Sequence, residues 1–328
     1  MAVIGNTNPT FSDIAKRTDP EGKIAPIVEL LAEHNEILDD ATAIEANDKM
    51  THTTTVRSGL PAVTWTKFYQ GVQPTKSTTV QVRDAIGMVE ARSTVDERLL
   101  SMAPDGNAFR MSEDRPFIES MSQDVASTLF YGDTGPTPEK FNGLSQRFSL
   151  TTAENGINIV NAGGSGSDNT SIWLVVWSPN TCHMIYPRGS KAGLQTTDLG
   201  RQRVLDANGG AYEAMEMKYE WNVGLSVRDW RYVVRIANID VSDLGTLANT
   251  KNIINWMIEA SEAIPSLSTG RAAFYCNKTI RTKLRLGINE KTTNQLTYET
   301  VAGKRIMAFD GIPVRRCDKI LNTEAAIS

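Results

Sequence analysis

Cysteine and histidine are scarce, with three of each in 328 residues. Cys182, Cys276 and Cys317 are scattered, odd in number and free of any CxxC pair, so neither a disulfide framework nor a cysteine zinc site is indicated, and buried free thiols are expected. His34, His52 and His183 form no HxH or HExxH pattern, which removes the usual metal signatures. Positive charge is not in excess either. The 34 Lys and Arg stand against 38 Asp and Glu, a formal charge of -4, which disfavours a dedicated nucleic-acid binder. No stretch approaches the ~18 apolar residues of a membrane span, and Met1 to Asn6 lacks a basic region leading into a long apolar run. A chain made and used in the cytosol is expected. Fixed-period repeats are missing too, which argues against a solenoid or propeller.

What is present is an ordinary globular composition, 40% hydrophobic and 22% charged. A single core stops growing near ~250 to 300 residues, so two lobes are expected, with one lobe plus extended arms equally compatible. Residues 10 to 45 carry Ile24, Ile27, Val28 and Leu31 at helical spacing and end near Leu38-Asp39-Asp40, predicting one or two short helices in an N-terminal arm. From Thr51 to about Arg92 the character turns to β. The runs 51–57, 62–69 and 77–82 are rich in threonine, β-branched and aromatic residues, broken by Ser58-Gly59-Leu60-Pro61 and Gln70-Gly71-Val72-Gln73-Pro74. A two-stranded ribbon is marginal in water unless a face packs on something, so this one is expected to reach onto a partner or to be an edge hairpin of its own sheet.

Residues 112 to 131 predict the longest helix, with Ser112 as cap, Pro116 in the first turn, Phe117, Met121, Val125 and Leu129 on one stripe, and Gly132 as the stop. Ile172 to Trp177 reads as a strand. Met215, Met217, Tyr219 and Trp221 alternate with polar residues, and Asn222-Val223-Gly224 is expected to turn into a second strand, Leu225 to Ile236. Residues 247 to 264 follow as an amphipathic helix with Leu247, Ile254, Met257, Ile258 and Ile264 inward, then Arg271 to Cys276 as a strand and Asn277 as the cap of a helix carrying Ile280 and Leu284. The same strand-then-cap arrangement is expected at Trp177-Ser178-Pro179-Asn180.

The search for chemistry returns little. The glycine-rich loop 161–168 precedes a strand and is followed by no lysine-serine/threonine pair, whereas a phosphate cradle needs glycines after a strand and before a helix. Cys182-His183 would diverge on a strand or a helix, leaving a packed thiol beside a surface imidazole as the better reading. No GxSxG elbow surrounds any serine. Glu113-Asp114 is explained by relief of a helix dipole and Asp39-Asp40 by solvation. Arg281, Lys283 and Arg285 form a basic run, either a solvated face or a salt-bridging surface between subunits. No catalytic residue, cofactor or metal is assigned.

Six runs carry a resemblance: Thr54 to Pro61 (TTVRSGLP), Gly71 to Thr79 (GVQPTKSTT), Ile185 to Leu194 (IYPRGSKAGL), Gly224 to Arg231 (GLSVRDWR), Arg235 to Ile239 (RIANI) and Gly311 to Asp318 (GIPVRRCD). They resemble the capsid subunits of short-tailed phages of the epsilon-fifteen and Bordetella-phage group, and the order of features resembles tailed-phage major capsid proteins of the Hong Kong 97-type fold. The resemblance implies an α+β chain: an N-terminal arm (1–47), an extended β loop (48–80), a peripheral domain with a long spine helix and β-sheet (81–171), an axial domain with interleaved peripheral strands (172–300) and a C-terminal return to the core (301–328). It implies a virion shell subunit, not an enzyme, assembled in the host bacterial cytoplasm from pentamers and hexamers of itself. A separate scaffolding protein, a portal protein and a cement or decoration protein would be its partners. Packaged double-stranded DNA would be met only non-specifically, and no membrane. Arg57, Trp65, Lys67, Phe68 and Tyr69 on the ribbon, with Arg281, Lys283 and Arg285, are the candidate contacts between subunits, and Trp65 and Phe68 could equally belong to the subunit's own core. Lys67 and Lys76 match no crosslinking pattern. An encapsulin-like compartment, another virion protein and a cytosolic enzyme with an unrecognised site are the alternatives.

Overall fold

The structure, a computed structural model, describes residues 9–10, 33–206, 208–245, 247–289, 296–301 and 304–327, and their side chains except at 245, 247–250, 287–289, 296–301 and 304–306. The expected arm helices on Ile24, Ile27, Val28 and Leu31 lie outside the described residues, as does the side chain of Leu247. In chain order the elements are α1 (Ile37–Asp40), β1 (Ala43–Glu45), β2 (Thr51–Gly59), β3 (Thr78–Asp96), α2 (Glu97–Met102), α3 (Gly106–Tyr131) and α4 (Leu144–Arg147). Then come β4 (Ile159–Asn161), β5 (Asn169–Trp177), β6 (Cys182–Tyr186), β7 (Gln195–Leu205), β8 (Ala211–Val227), β9 (Val233–Asp240) and α5 (Leu247–Ala263). The last are β10 (Arg271–Cys276), α6 (Lys278–Asn289), β11 (Leu296–Val301), β12 (Lys304–Phe309) and β13 (Ile312–Arg316). The chain divides into two compact units.

The first unit comprises Met1–His34, Met88–Ala126 and Gly193–Asn222. Its sheet holds the β7–β8 hairpin, in register from Gln195 opposite Glu220 to Leu205 opposite Ala211, with β3 beside β8. Asp206 closes the turn by accepting from the N–H groups of Asn208 and Gly210 at 2.9 and 2.7 Å. A bulge falls between Asp198 and Gly200, and Gly200 takes a φ of 69°, the left-handed conformation such a bulge needs. A small core joins Val95 and Phe109 with Leu99, Leu100 and Ala103. Phe117 stacks on Tyr219, and Arg110 bridges to Asp198 at 3.0 Å.

The second unit comprises Asn35–Gly87, Ser127–Ala192 and Val223–Ser328. It is organised on β5, all nine of whose residues are buried. Ile-Trp-Leu-Val-Val-Trp suits a strand because branched and aromatic side chains pack on a pleated surface, and the run is continuous because both faces are covered. β5 pairs antiparallel with β9 and with β10, β10 pairs parallel with β13, and β12 and β11 extend the sheet beyond. Ile172, Leu174 and Val176 face a cluster containing Ile253, Ile254 and Met257 of α5 and Ile280 and Leu284 of α6. Each such buried side chain contributes about 1.5–3 kcal/mol. On the opposite face Trp173 meets Phe130 and Phe148, and Trp177 Nε1 donates to the Tyr275 hydroxyl at 2.8 Å.

Several expectations are met. β5, α5 and β10 stand where the patterns put them, α3 ends before Gly132, and Asn277 caps α6 by accepting from the Ile280 N–H at 2.9 Å. All three cysteines are free and buried.

Others are corrected. α3 begins at Gly106 and not at Ser112, because Asp105 supplies the cap, accepting from the Ala108 N–H at 3.0 Å. Ser112 instead bonds back to the Phe109 carbonyl at 2.7 Å, and Pro116 lies inside the helix. Glu113 and Asp114 therefore sit mid-helix, with Asp114 buried and facing Tyr219, so they relieve no helix dipole. No turn interrupts β8 at Asn222-Val223-Gly224, and the hairpin is β7–β8. Gly224 has no left-handed φ, and a Cβ there would lie 2.6 Å from the Ala85 carbonyl oxygen, so close backbone approach selects it. The run 225–236 is split by a 3₁₀ turn at Trp230–Tyr232. The chain after Trp177 caps no helix. It turns through Ser178 and Thr181, whose Oγ1 donates to the Val176 carbonyl at 2.6 Å, and re-enters the sheet as β6. Ile258 is 37% exposed and not inward, while Ile253 is fully buried. Asp39 is exposed, but Asp40 is 3% exposed and ion-paired to Arg271 at 2.6 Å and Arg315 at 3.1 Å, so it is no solvated punctuation.

Candidate assembly surface

β2 and β3 form the ribbon, in antiparallel register from Thr51 opposite Ala85 to Gly59 opposite Thr78. Threonines and valines fill it, as the pleat favours, and a bulge between Arg57 and Gly59 ends the pairing. At its root Asn47 brackets Thr53, accepting from its N–H at 2.9 Å and donating to its carbonyl at 2.7 Å. Ala46, Ile86 and Ile185 make a small apolar seat.

Beyond the bulge the expected strand 62–69 is absent. Residues 60–76 are all exposed and form an irregular tip, since β-propensity does not hold a strand that has no partner. Thr75 Oγ1 donates to the Ala62 carbonyl at 2.9 Å, and the Gln70 N–H to the Lys67 carbonyl at 3.2 Å. Tyr69 adopts a φ of 66°, uncommon for a side-chain-bearing residue. Trp65 is 99% exposed and Phe68 96%, with Leu60, Val63, Tyr69 and Val72 exposed beside them in the chain. These rings are therefore not in the subunit's own core. Leu60, Val63 and Val72 went unnoticed in the sequence, where Val63 looks like strand filling and Leu60 and Val72 sit in the breaks between the runs. The charge of the segment gave a signal: Lys49, Arg57, Lys67, Lys76 and Arg83 are present between 49 and 83, and Asp and Glu are not.

The tip thus carries Trp65, Lys67, Phe68 and Tyr69 on one exposed segment, with Arg57 exposed on β2. Arg281, Lys283 and Arg285 form a separate group on α6. Arg281 lies 3.6 Å from Glu36, Lys283 is half-buried and Arg285 exposed.

The other candidate chemistries fare poorly. Cys182 is fully buried, and that burial pushes its thiol up to about 12, so no thiolate is available. His183 is 2% exposed and not the surface imidazole expected. The loop 163–165 lines a cavity of about 240 Å³ with Asp240 and Asp243 and with no Lys or Arg, an environment that repels phosphate. Among the described residues no group of three or more His, Cys, Asp or Glu could hold a metal ion.

A family model described as major capsid protein GP7 matches residues 19–328. A solved structure of bacteriophage Epsilon15 is 38% identical, covers 100% of this chain and 99% of that chain, and superposes with a TM-score of 0.79. The capsid of bacteriophage JBD30 matches at 9% identity over 88% of this chain and 92% of that chain, with a TM-score of 0.52, a likeness of fold alone. An encapsulin of Synechococcus elongatus matches at 10% identity over 70% and 96% of the two chains, with a TM-score of 0.47. No curated protein matches.

Proposed function

The chain belongs to the major capsid protein GP7 family and is a structural subunit of a tailed-phage head with the Hong Kong 97-type fold, and from that premise we propose that its exposed ribbon tip is a contact by which copies hold one another in the shell. The capsid shell is a multimer of such chains, and the subunit is no enzyme. The proposed division is an arm at 1–47, an extended loop at 48–80, a peripheral domain at 81–171, an axial domain at 172–300 and a C-terminal return at 301–328. Subunits present heterologous interfaces whose rotation closes into rings of five and six. Scaffolding, portal and cement or decoration proteins complete the assembly in the host cytoplasm, and the double-stranded DNA inside is met without sequence-specific contact.

One observation carries the proposal. A globular chain has placed Trp65 and Phe68 almost wholly in water, on a segment with five cations and no anion, while its remaining residues are net acidic. Aromatic side chains dominate protein interfaces, and a basic tip meeting an acidic neighbour gains orientation as well as area. Trp65, Phe68 and Tyr69 serve as anchors, and Arg57 and Lys67 as ion-pair partners. Arg281, Lys283 and Arg285 form a second contact on the axial lobe.

The experiment is Trp65→Ala with Phe68→Ala. The subunit should stay folded by circular dichroism, since neither ring packs internally, while mature shells counted by electron microscopy fall at least tenfold. Shells at the parental yield would refute the assignment.

A further inference from the structure

At the root of the ribbon two cross-strand pairs lie against each other. In β2–β3 His52 stands opposite Asp84, and in β6–β8 His183 stands opposite Ser226. The two imidazoles meet edge to face, centroids 5.7 Å apart and planes at 85°, so ring contact joins ribbon to sheet. His183, Asp84 and Ser226 are buried; Ser226 Oγ and Asp84 Oδ2 have no hydrogen-bond partner among the described residues, and His183 makes no well-formed bond, only the Ser178 carbonyl attracting it. The seat is therefore polar and largely buried, and its own side chains leave one another incompletely satisfied.

Its one carboxylate faces two cations. Asp84 Oδ1 accepts from Arg147 at 2.7 Å. Arg228, whose N–H donates to the Thr181 carbonyl at 2.8 Å, adds a second cation, and its guanidinium bonds to Asn180 at 3.3 Å. His52 Nδ1 accepts from the Asn47 N–H at 3.3 Å, which leaves its proton on Nε2 in the neutral form. The thiol of neighbouring Cys182 stays protonated. Another proton on His183 would thus be a buried charge, and one on half-buried His52 a charge beside it, facing one carboxylate that Arg147 already engages.

We propose that the His52–His183 contact is an acid-sensitive latch: it seats the root of the β2–β3 ribbon on β6 at neutral pH and releases it on proton uptake. The direction follows from the surroundings of the pair. Burial, then His52 and Arg228, hold His183 down at about 4 from the ordinary 6.5, outweighing the Ser178 carbonyl and Asp84. Burial also lowers His52, against the pull of Asp84. The seated form then binds fewer protons than the released form, so seating is complete above 6.5 and weakens as pH falls from 6.5 towards 4. The Ala46–Ile86–Ile185 seat and the bond from the Ala46 N–H to the Tyr186 carbonyl at 2.9 Å do not titrate, so the opening is local. This latch belongs to the subunit itself and holds whether or not the tip touches a neighbour.

The test is amide hydrogen exchange on the full-length chain at pH 7 and pH 4.5, each normalised to intrinsic rates. Protection of 51–56 and 79–85 should fall tens of fold, on the order expected from linkage for one such imidazole, while 172–176 stays protected. In His183→Gln the fall should shrink to less than threefold. A flat wild-type profile, or an undiminished fall in His183→Gln, overturns the latch. Should the variant not fold, the NMR titration of His183 in the wild type decides: a midpoint well below 6 supports the proposal, and one at the ordinary value overturns it.

Discussion

Truncating Glu324 to alanine tests how the chain's last described residues are held. Glu324 is 7% exposed and accepts from the Tyr131 hydroxyl, from Ser171 Oγ at 2.5 Å and from Arg235 Nη2 at 2.9 Å. Its backbone exchanges hydrogen bonds with Asn169 at 2.9 and 3.3 Å, and Ile327 is tied to Asn238 at 2.9 Å in both directions. Breaking a buried ion pair from one side costs about 3–5 kcal/mol, because the surviving charge stays in a place without water. Arg235 keeps the Phe148 carbonyl at 2.8 Å, Ser171 at 3.1 Å and the face of Trp173 at 5.1 Å, so the lower end applies. At about 3 kcal/mol the folding equilibrium shifts roughly a hundredfold. Urea unfolding followed by tryptophan fluorescence should show that loss, with Trp173 beside the altered charge as the local probe. Arg235→Met with Glu324→Leu removes both charges and should cost less than Glu324→Ala alone. A single-variant loss below about 1 kcal/mol, or a double variant worse than the two singles together, would show that the clasp does not work as a buried pair.

Two further expectations concern the second unit. Gly224→Ala forces a Cβ to within 2.6 Å of the Ala85 carbonyl, where backbone and not a side chain must move; a loss of about 1–3 kcal/mol in urea unfolding is expected, by analogy with overpacking, and an unchanged midpoint would show the approach to be soft. Asp40→Asn keeps the shape but takes from Arg271 its carboxylate and leaves Arg315 with Glu36 alone, at 3.4 Å; a loss of about 1–3 kcal/mol is expected, and full retention would mean the site is wetter than its 3% exposure implies.

Local chemistry was legible in the sequence wherever it also decided the structure. The run 172–177 had to be a strand because six apolar residues with β-branched and aromatic character need both faces covered, and Asn277 had to cap because its side chain reaches the next free N–H groups. Legibility failed where a residue answers to something distant in sequence. Gly224 reads as a turn, yet its reason is Ala85, 139 positions away. Asp40 reads as solvated until Arg271, Tyr275 and Arg315 arrive around it. Asp105 was overlooked as a cap because Ser112 followed by Pro116 mimics a helix start, and tertiary packing carried α3 through the proline. His52 and His183 look like two isolated imidazoles until the ribbon root meets β6. In the tip the local signal was misleading: Val63, Trp65 and Phe68 have every propensity for a strand and no partner to pair with.

That missing partner sets the energetics of the proposed contact. An aromatic side chain carries about 150–250 Å² of burial, so three rings of the tip could remove some 500 Å² from water. At about 25 cal/mol per Å² the gross gain is near 12 kcal/mol, against an association cost of about 4–15 kcal/mol for lost freedom of motion. One tip contact is thus close to break-even. Near-balance suits a shell, because contacts that were each strong would trap misplaced subunits, whereas contacts that are each marginal become decisive only when a subunit makes several at once. It also explains why the three anchors stay out of the subunit's own core: a Trp65 buried at home would stabilise the free chain and leave nothing to gain on closure.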